Sequence, residues 1–309
     1  MYMNSKLILR ELADNFHHSN DKYKAHNQIQ ERLKELCSDK NFIHEAIKNC
    51  ITRNNFLFNA ENLFFYLLIE GDVIIAINLF PPIYDKEKNI THDNIHHHGW
   101  RLLTTGVISG DGYETINFVK NSHLNRDGDA VKLEIKNMYR HKKGEIKFID
   151  SDQAHVVFQP PKTSATLALW SADRPLKNQK IKRLIGNFPS LQKFMAKVIH
   201  KTGTNKFFGL NQTKGVYFHP ENGKIVETKN YSKPTDGTRS EILNCMFKFF
   251  QLIELNDHNF FSKLKEKCPP EARVLCDKII SKETIEDLGI KGDLRRRFSK
   301  NQILQIINN

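Results

Sequence analysis

The sequence lacks the cysteine pattern of a disulfide framework or a structural zinc site. It has five cysteines, an odd number, and no C-x-x-C pair. Disulfide scaffolds and zinc ribbons need cysteines paired at short spacings, so neither class fits. This cysteine usage is typical of a reducing compartment, and we expect a cytoplasmic location.

Long apolar runs are also missing. The two longest, 62–69 and 73–82, are each shorter than a dozen residues, whereas a membrane-spanning helix needs about 20. Residues 1–14 are mixed in character and lack the apolar core of a signal peptide. The sequence therefore predicts a soluble protein with no membrane span.

Acidic residues are outnumbered by basic ones. There are 47 Lys and Arg against 35 Asp and Glu, a formal net charge of +12, which would suit an anionic partner. The basic residues are scattered and no nucleic-acid-binding motif accompanies them, so a nucleic-acid partner is not expected. We favour a basic, well-solvated surface. A non-catalytic binding protein that uses the basic tail at 271–309 is kept as an alternative.

The first half of the chain changes from a helical to a β pattern. Apolar residues at helical spacing predict helices over 22–37 and 40–51, the second entered by the capping candidates Ser38 and Asp39. From residue 53 to 171, short β-rich runs alternate with turn residues, as in hairpins. About eight such strands predict a sandwich or barrel.

The region after residue 175 is mostly helical. Helices are predicted over 191–199 and 241–255, separated by a polar stretch at 211–239 that is typical of a long loop or hairpin. This extension could act as a lid over a pocket or as the interface of a homodimer. The predicted division is an N-terminal helical segment (1–52), a β-barrel with a metal site (53–175) and a C-terminal extension (176–309).

Three histidines are the candidate ligands of a metal ion. His96 and His98 open a strand, where residues i and i+2 share a face, so both can reach one ion while His97 points away. His155 begins a later strand, which a barrel can bring beside the first. Neutral imidazole suits divalent iron, nickel, copper or zinc. With 14 histidines in the chain, about one such pair is expected by chance, so spacing alone does not establish the site.

Two motifs resemble those of the cupin superfamily, and within it the thiol dioxygenases that are similar to cysteine dioxygenase. The first is His96-x-His98 followed by the segment 106–115 with its Gly-x-x-x-Glu-Thr pattern, and the second is the segment 148–155, which ends in His155. The resemblance covers 51–175. It implies a cupin-type antiparallel β-barrel, the double-stranded β-helix, with Fe(2+) bound by His96, His98 and His155.

The chain departs from the family at positions that would handle a polar substrate. Where most other cupins have a glutamate ligand, and cysteine dioxygenases a nearby cysteine, the chain has Leu103. A Ser, a His and a Tyr of the family's late strand become Thr166, Ala168 and Trp170. These changes predict a more apolar pocket, lined by Leu103, Trp170 and Phe158, and they argue against free cysteine as substrate.

Two further residues are candidates for the site. The segment Thr52-Arg53-Asn54 is similar to a context in which the family's arginine binds the substrate carboxylate, which implies that role for Arg53; the alternative is an arginine at a helix end facing water. Trp100 alternates with His98 and is expected on the ligand face.

The resemblance implies a non-heme iron(II)-dependent oxygenase or dioxygenase that acts with O₂ on a small polar metabolite or biosynthetic intermediate. Arg53, Trp100 and Trp170 are its candidate catalytic residues. Besides a non-catalytic binding protein, one alternative stays open: a metal-dependent cupin of another class, such as an isomerase or a nickel, manganese or zinc enzyme.

Overall fold

The structure leaves part of the C-terminal extension undescribed. The helix predicted at 191–199 lies outside the described residues, as do 211–215 and 229–236 of the polar stretch at 211–239. The structure is a computed structural model, and it describes residues 4–53, 56–58, 60, 63–83, 89–175, 216–228, 237–291 and 297–308.

Helices flank the strands at both ends of the described chain. Asp39 caps one of them, since its side chain accepts a hydrogen bond of 3.0 Å from the backbone N–H of Phe42, which confirms this capping prediction. The helix predicted over 22–37 is divided into two at Ile29. The helices are α1 (Ser5–His18), α2 (Lys22–Gln28), α3 (Gln30–Ser38), α4 (Lys40–Ile51), α5 (Arg239–Leu252), α6 (His258–Lys265), α7 (Pro270–Ile280) and α8 (Lys300–Asn308).

The strands form two antiparallel sheets. Their orders are β1-β2-β11-β4-β9 and β6-β7-β13-β12-β3-β10-β5-β8. The strands are β1 (Phe64–Glu70), β2 (Val73–Phe80), β3 (Ile95–His97), β4 (Arg101–Ser109), β5 (Tyr113–Phe118), β6 (Arg126–Asp127), β7 (Ala130–Val131), β8 (Ile135–His141), β9 (Ile146–Ile149), β10 (His155–Phe158), β11 (Ser164–Ala172), β12 (Val216–Glu221) and β13 (Lys224–Glu227).

Eight of these strands form a jelly roll. In chain order they are β2, β3, β4, β5, β8, β9, β10 and β11. When these eight are numbered 1 to 8 along the chain, the strand orders in the two sheets are 1-8-3-6 and 2-7-4-5. The chain crosses between the sheets at most connections, as in a double-stranded β-helix. This confirms the predicted cupin-type antiparallel β-barrel.

The outer face of the five-stranded sheet is covered by helices. Ile77 of β2 and Leu167 of β11 are fully buried and belong to one core cluster with Phe16 of α1 and Phe249 of α5. Burial of each such side chain contributes about 1.5–3 kcal/mol. The phenylalanines of α5 therefore belong to the core between the helices and the sheet.

The outer face of the eight-stranded sheet has a core of its own. Ile95 of β3, Val156 of β10 and Phe218 of β12 pack there with Ile303 of α8. With both outer faces covered, the side chains of the inner faces are left to line the barrel interior, because residues alternate between the two faces of a strand.

The C-terminal extension is part of the barrel wall. The hairpin β12–β13 pairs with β3 on one side and with β7 on the other, so the eight-stranded sheet does not end at residue 175. In the described part of the chain, the helices are all too short or too polar to cross a membrane. All five cysteines are buried and unbridged.

Candidate metal centre

Three histidine side chains converge inside the barrel. The candidate ligand atoms of His96, His98 and His155 lie within 4.8 Å of one another. The ring centroids are 4.4 Å apart for His96 and His155, 4.9 Å for His96 and His98, and 5.0 Å for His98 and His155. Imidazole nitrogens bind first-row metals at about 2.0–2.1 Å, so a small inward rotation of the rings would let all three bind one ion. The predicted convergence is confirmed.

Strand pairing accounts for this arrangement. The antiparallel pair of β10 and β3 puts His155 directly opposite His96, and residues opposite one another share a face. β3 ends at His97, so His98 belongs to the connection to β4. Gly99 follows with φ of 60°, a conformation that favours glycine. His98 therefore comes from the beginning of a turn rather than from within a strand.

Two of the histidines, His98 and His155, are neutral donors. Burial, reinforced by His96, holds the pKa of His98 and that of His155 well below the usual value. Both rings are therefore uncharged at neutral pH, and a neutral imidazole has the lone pair that a metal needs.

Backbone carbonyls orient two of the rings. Nδ1 of His96 lies 2.9 Å from the carbonyl oxygen of Asn94, and Nδ1 of His155 lies 3.4 Å from that of Gln153. A carbonyl only accepts, so Nδ1 carries the proton in each ring and Nε2 is the free donor. Such partners fix the tautomer and the orientation of metal-binding histidines.

His97 points to the opposite side of the sheet, as predicted. Its ring stacks on His123 at 4.4 Å, and its Nδ1 accepts a hydrogen bond of 3.1 Å from the N–H of Gly99. Burial, with a smaller effect of His123, lowers the pKa of His97 to about 4. It belongs to the packing of the outer face.

Part of the inner face of the five-stranded sheet is apolar. Leu103 of β4 is the cross-strand partner of Trp170 of β11, and with Ile149 and Ala168 they form a separate small cluster. This agrees with the apolar pocket predicted around Leu103 and Trp170. The inclusion of Phe158 in that pocket is wrong: it packs in the outer core of the eight-stranded sheet, because it lies three residues after His155 and so has the opposite direction.

A buried amide lies next to His155. Asn117 of β5 is the cross-strand partner of His155, and its Nδ2 donates a hydrogen bond of 3.4 Å to the hydroxyl of Tyr139. Its Oδ1 is buried without a hydrogen-bond partner among the described residues. An unsatisfied acceptor beside the histidines is available to a substrate group or water.

Sequence reasoning missed one side chain at this site. Tyr217 of β12 is the cross-strand partner of His96, and its ring stacks on the imidazole with the centroids 5.4 Å apart and the planes 26° apart. Burial, with a contribution from Asp93, raises the pKa of Tyr217 to about 12. No motif indicates it, because it is contributed by the stretch interpreted as a long loop or hairpin.

Comparisons with known proteins give a likeness in fold only. No family model and no curated protein matches the sequence. Among solved structures, a conserved protein with a double-stranded β-helix domain from Klebsiella pneumoniae is 17% identical, with 37% of this chain and 80% of that chain covered and a TM-score of 0.25. A cupin protein from Bacteroides fragilis is 17% identical, with 34% and 68% covered and a TM-score of 0.23.

An oxalate oxidase in complex with glycolate is also similar. It is 14% identical, with 34% of this chain and 44% of that chain covered and a TM-score of 0.24. This chain therefore spans less than half the length of that enzyme. At such similarity the strand order, and not the matches, identifies the fold.

Trp100 is not placed on the ligand face by alternation. The strand ends before it, and Gly99 and Trp100 form a turn between β3 and β4. Alternation applies to continuous extended backbone, so the argument that puts Trp100 beside His98 does not hold. Its catalytic role stays a prediction.

Arg53 is not brought to the histidines by any contact in the described chain. It is exposed at the end of α4, and its Nη1 donates a long hydrogen bond of 3.5 Å to the carbonyl of Leu67 on the edge strand β1. Leu67 belongs to the core between the sheet and the helices, which is outside the barrel. This position corresponds to the alternative interpretation, an arginine at a helix end.

Arg101 lies closer to the three histidines than Arg53 does. It precedes Leu103 by two residues on β4 and so shares its inward direction. Its charge contributes, after burial and the neighbouring histidines, to the low pKa of His98. Arg101 is half-buried and is the cross-strand partner of Ala172. The N–H of Ala172 donates a hydrogen bond of 3.1 Å to the carboxylate of Asp72.

Proposed function

We propose that the protein is a non-heme iron(II)-dependent oxygenase, with His96, His98 and His155 as the ligands of the metal. The observation that carries the proposal is the convergence of three imidazoles inside a double-stranded β-helix. Leu103 occupies the position where most cupins have a carboxylate ligand, and it packs against Trp170 and Ala168. A facial set of three imidazole nitrogens, with no carboxylate, is therefore favoured.

The donor set fits a divalent ion. Low pKa values keep His98 and His155 neutral, and Nδ1–H···O=C hydrogen bonds leave Nε2 free on His96 and His155. Imidazole nitrogen suits iron, nickel, copper and zinc alike. The preference for iron comes from the resemblance to the three-histidine thiol dioxygenases.

Bound iron(II) would supply open coordination positions for O₂ and for a heteroatom of the substrate. The side chains would orient the substrate and exclude water. Leu103, Ala168 and Trp170 provide an apolar wall that limits solvent. The free Oδ1 of Asn117 offers an acceptor for a substrate N–H or O–H group beside His155.

The substrate that we propose is a small metabolite or biosynthetic intermediate other than free cysteine. The polar triad of cysteine dioxygenases is absent, since Thr166, Ala168 and Trp170 stand in its place. An acidic group of the substrate would bind Arg101 rather than Arg53, because Arg101 lies on the inward side of β4 and its charge is felt at His98. Guanidinium groups bind carboxylates in a bidentate manner.

Metal analysis with a nitric oxide probe tests this function. The purified protein is analysed for metals, stripped with a chelator and reloaded with iron(II) under anaerobic conditions. Nitric oxide then takes the place of O₂, and we expect the EPR signal of a high-spin iron–nitrosyl complex. Retention of zinc, nickel or manganese without such a signal would favour a metal-dependent cupin of another class. A protein that binds no metal would contradict both.

A further inference from the structure

The hairpin β12–β13 lies outside the eight strands of the jelly roll but reaches the metal centre. It adds to the free edge of β3, the strand that carries His96. Cross-strand partners share a face, so the pairing of Tyr217 with His96 directs the phenol to the inner side of the sheet.

His96 differs from the other two histidines in its surroundings. Among the described residues, it is the one member of the trio whose ring stacks on an aromatic side chain other than histidine; the ring contacts of His98 and His155 are with the trio itself. The hydrogen bond from Nδ1 to the carbonyl of Asn94 acts in the ring plane. The contact with Tyr217 acts on a ring face, so the two together restrict both rotation and tilt of the imidazole.

The hairpin is held firmly enough to serve this purpose. Phe218, the residue after Tyr217, is fully buried in the outer core, where it packs in one cluster with Ile303 of α8. At the far edge, Val226 pairs with Ala130 of β7, and Glu227 accepts a charged hydrogen bond from Arg126. The strand that carries Tyr217 is therefore held by the outer core through Phe218 and by the pairing of β13 with β7.

We propose that Tyr217 is a positioning residue of the metal centre, which stacks on His96 and holds its imidazole in the orientation that binds the ion. This inference rests on the proposed function. It makes the C-terminal extension a contributor to metal affinity, although the extension supplies none of the three proposed ligands. Loss of a partner that orients a metal-binding histidine typically costs about 10–100-fold in affinity.

The test measures cobalt(II) affinity by competition with a chromogenic chelator. Cobalt(II) is stable in air, and its visible absorption reports the ligand geometry. Tyr217→Met keeps much of the side-chain volume but removes the ring, and we expect about ten-fold weaker binding with an altered cobalt spectrum. Tyr217→Phe keeps the ring and is expected to bind like the wild type. Val216→Ala is the matched control, because Val216 pairs with His97 and so faces the other side.

The outcomes separate this inference from the proposed function. Unchanged affinity and spectrum in Tyr217→Met would overturn the positioning role, as would equal losses in Tyr217→Met and Tyr217→Phe, since the hydroxyl would then matter rather than the ring. If Tyr217→Met does not fold, Tyr217→Leu replaces it as the variant without a ring: weaker binding than in Tyr217→Phe supports stacking, and wild-type affinity contradicts it. Failure of the wild type to bind cobalt would overturn the metal site itself, and the positioning role with it.

Discussion

The two faces of the barrel strands use the same residue type in different ways. On the inner face, His96 and His155 converge with His98. On the outer face of β3, the strand that carries His96, His97 stacks on His123. Burial lowers the pKa of two inner histidines, His98 and His155, and of both outer ones. A low pKa therefore does not distinguish a ligand; the convergence of ring nitrogens does.

His26 is a third outer histidine with a structural role. It is fully buried beneath the five-stranded sheet, where its Nδ1 lies 2.6 Å from the hydroxyl of Thr104 and its Nε2 lies 2.9 Å from that of Ser171. Both nitrogens are occupied, so the ring joins α2 to the barrel and has no atom left for a metal. The comparison thus gives structural roles to His26, His97 and His123 and leaves the convergent trio as the proposed ligands.

The sharpest way to break this comparison is to remove one inner histidine. His155→Ala is expected to lower metal affinity by more than about 100-fold, because a whole donor is lost. Loss of a residue that only orients a ligand costs up to about 100-fold. Metal content after dialysis measures this. The control is His123→Phe, which keeps a ring against His97 and should retain the metal. Equal metal content in wild type and His155→Ala would refute the assignment of the site.

The pH dependence of stability tests the outer face. Burial, aided by Lys22, lowers the pKa of His26 to about 3 in the folded protein, against about 6.5 when unfolded. As the pH falls below the unfolded value, the unfolded chain binds a proton that the native protein does not. Stability is therefore full above the unfolded pKa and declines as the pH falls towards the folded pKa. Between pH 7 and pH 5 the loss is about 2 kcal/mol.

His26→Gln removes this proton and retains a polar group. Urea unfolding of the metal-free proteins at pH 7 and pH 5 should show a smaller loss of stability in the variant, by about the same 2 kcal/mol. His141, whose pKa burial lowers to about 4, is present in both proteins and cancels. An identical pH dependence in the two would contradict a neutral, buried His26.

A third comparison concerns the two arginines, one inward and one outside the barrel. Benzoate and acetate serve as carboxylate probes for the cobalt-loaded protein, followed by its visible spectrum. Arg101→Gln should weaken their binding by about ten-fold or more, since a charge-assisted hydrogen bond contributes about 1.5–3 kcal/mol. Arg53→Gln should leave it unchanged. A loss in Arg53→Gln alone would restore the role first expected from the sequence.

Local patterns in the sequence predict the helices and a sandwich or barrel of short strands, and the resemblance of two motifs adds the cupin-type barrel and the histidine cluster. The helix cap at Asp39, the short strands and the His96-x-His98 spacing are all properties of neighbouring residues. The alternation argument for Trp100 is also local, and it is wrong because a turn at Gly99 interrupts the strand. The role expected of Arg53 depends on a three-residue similarity, and nothing local reveals that α4 ends on the outer side of the sheet.

The features that the sequence does not reveal depend on contacts between distant residues. Tyr217 reaches His96 only because a hairpin after residue 215 joins the edge of β3. A boundary placed at residue 175 separates the two, although they lie in one sheet. Pairing across more than a hundred residues has no periodic signature, so a single sequence does not predict it.

The hairpin β12–β13 is synthesised after the strands that carry the three histidines, which affects the order in which the site is assembled. During synthesis at about 5–20 residues per second, the roughly sixty residues between His155 and Tyr217 take about 3–12 s to emerge. A jelly roll closes slowly because its contacts are distant in sequence. The three histidines therefore leave the ribosome seconds before the ring that stacks on His96. An ion captured in that interval would enter a half-built site, and the hairpin would close over it as the last strands pair.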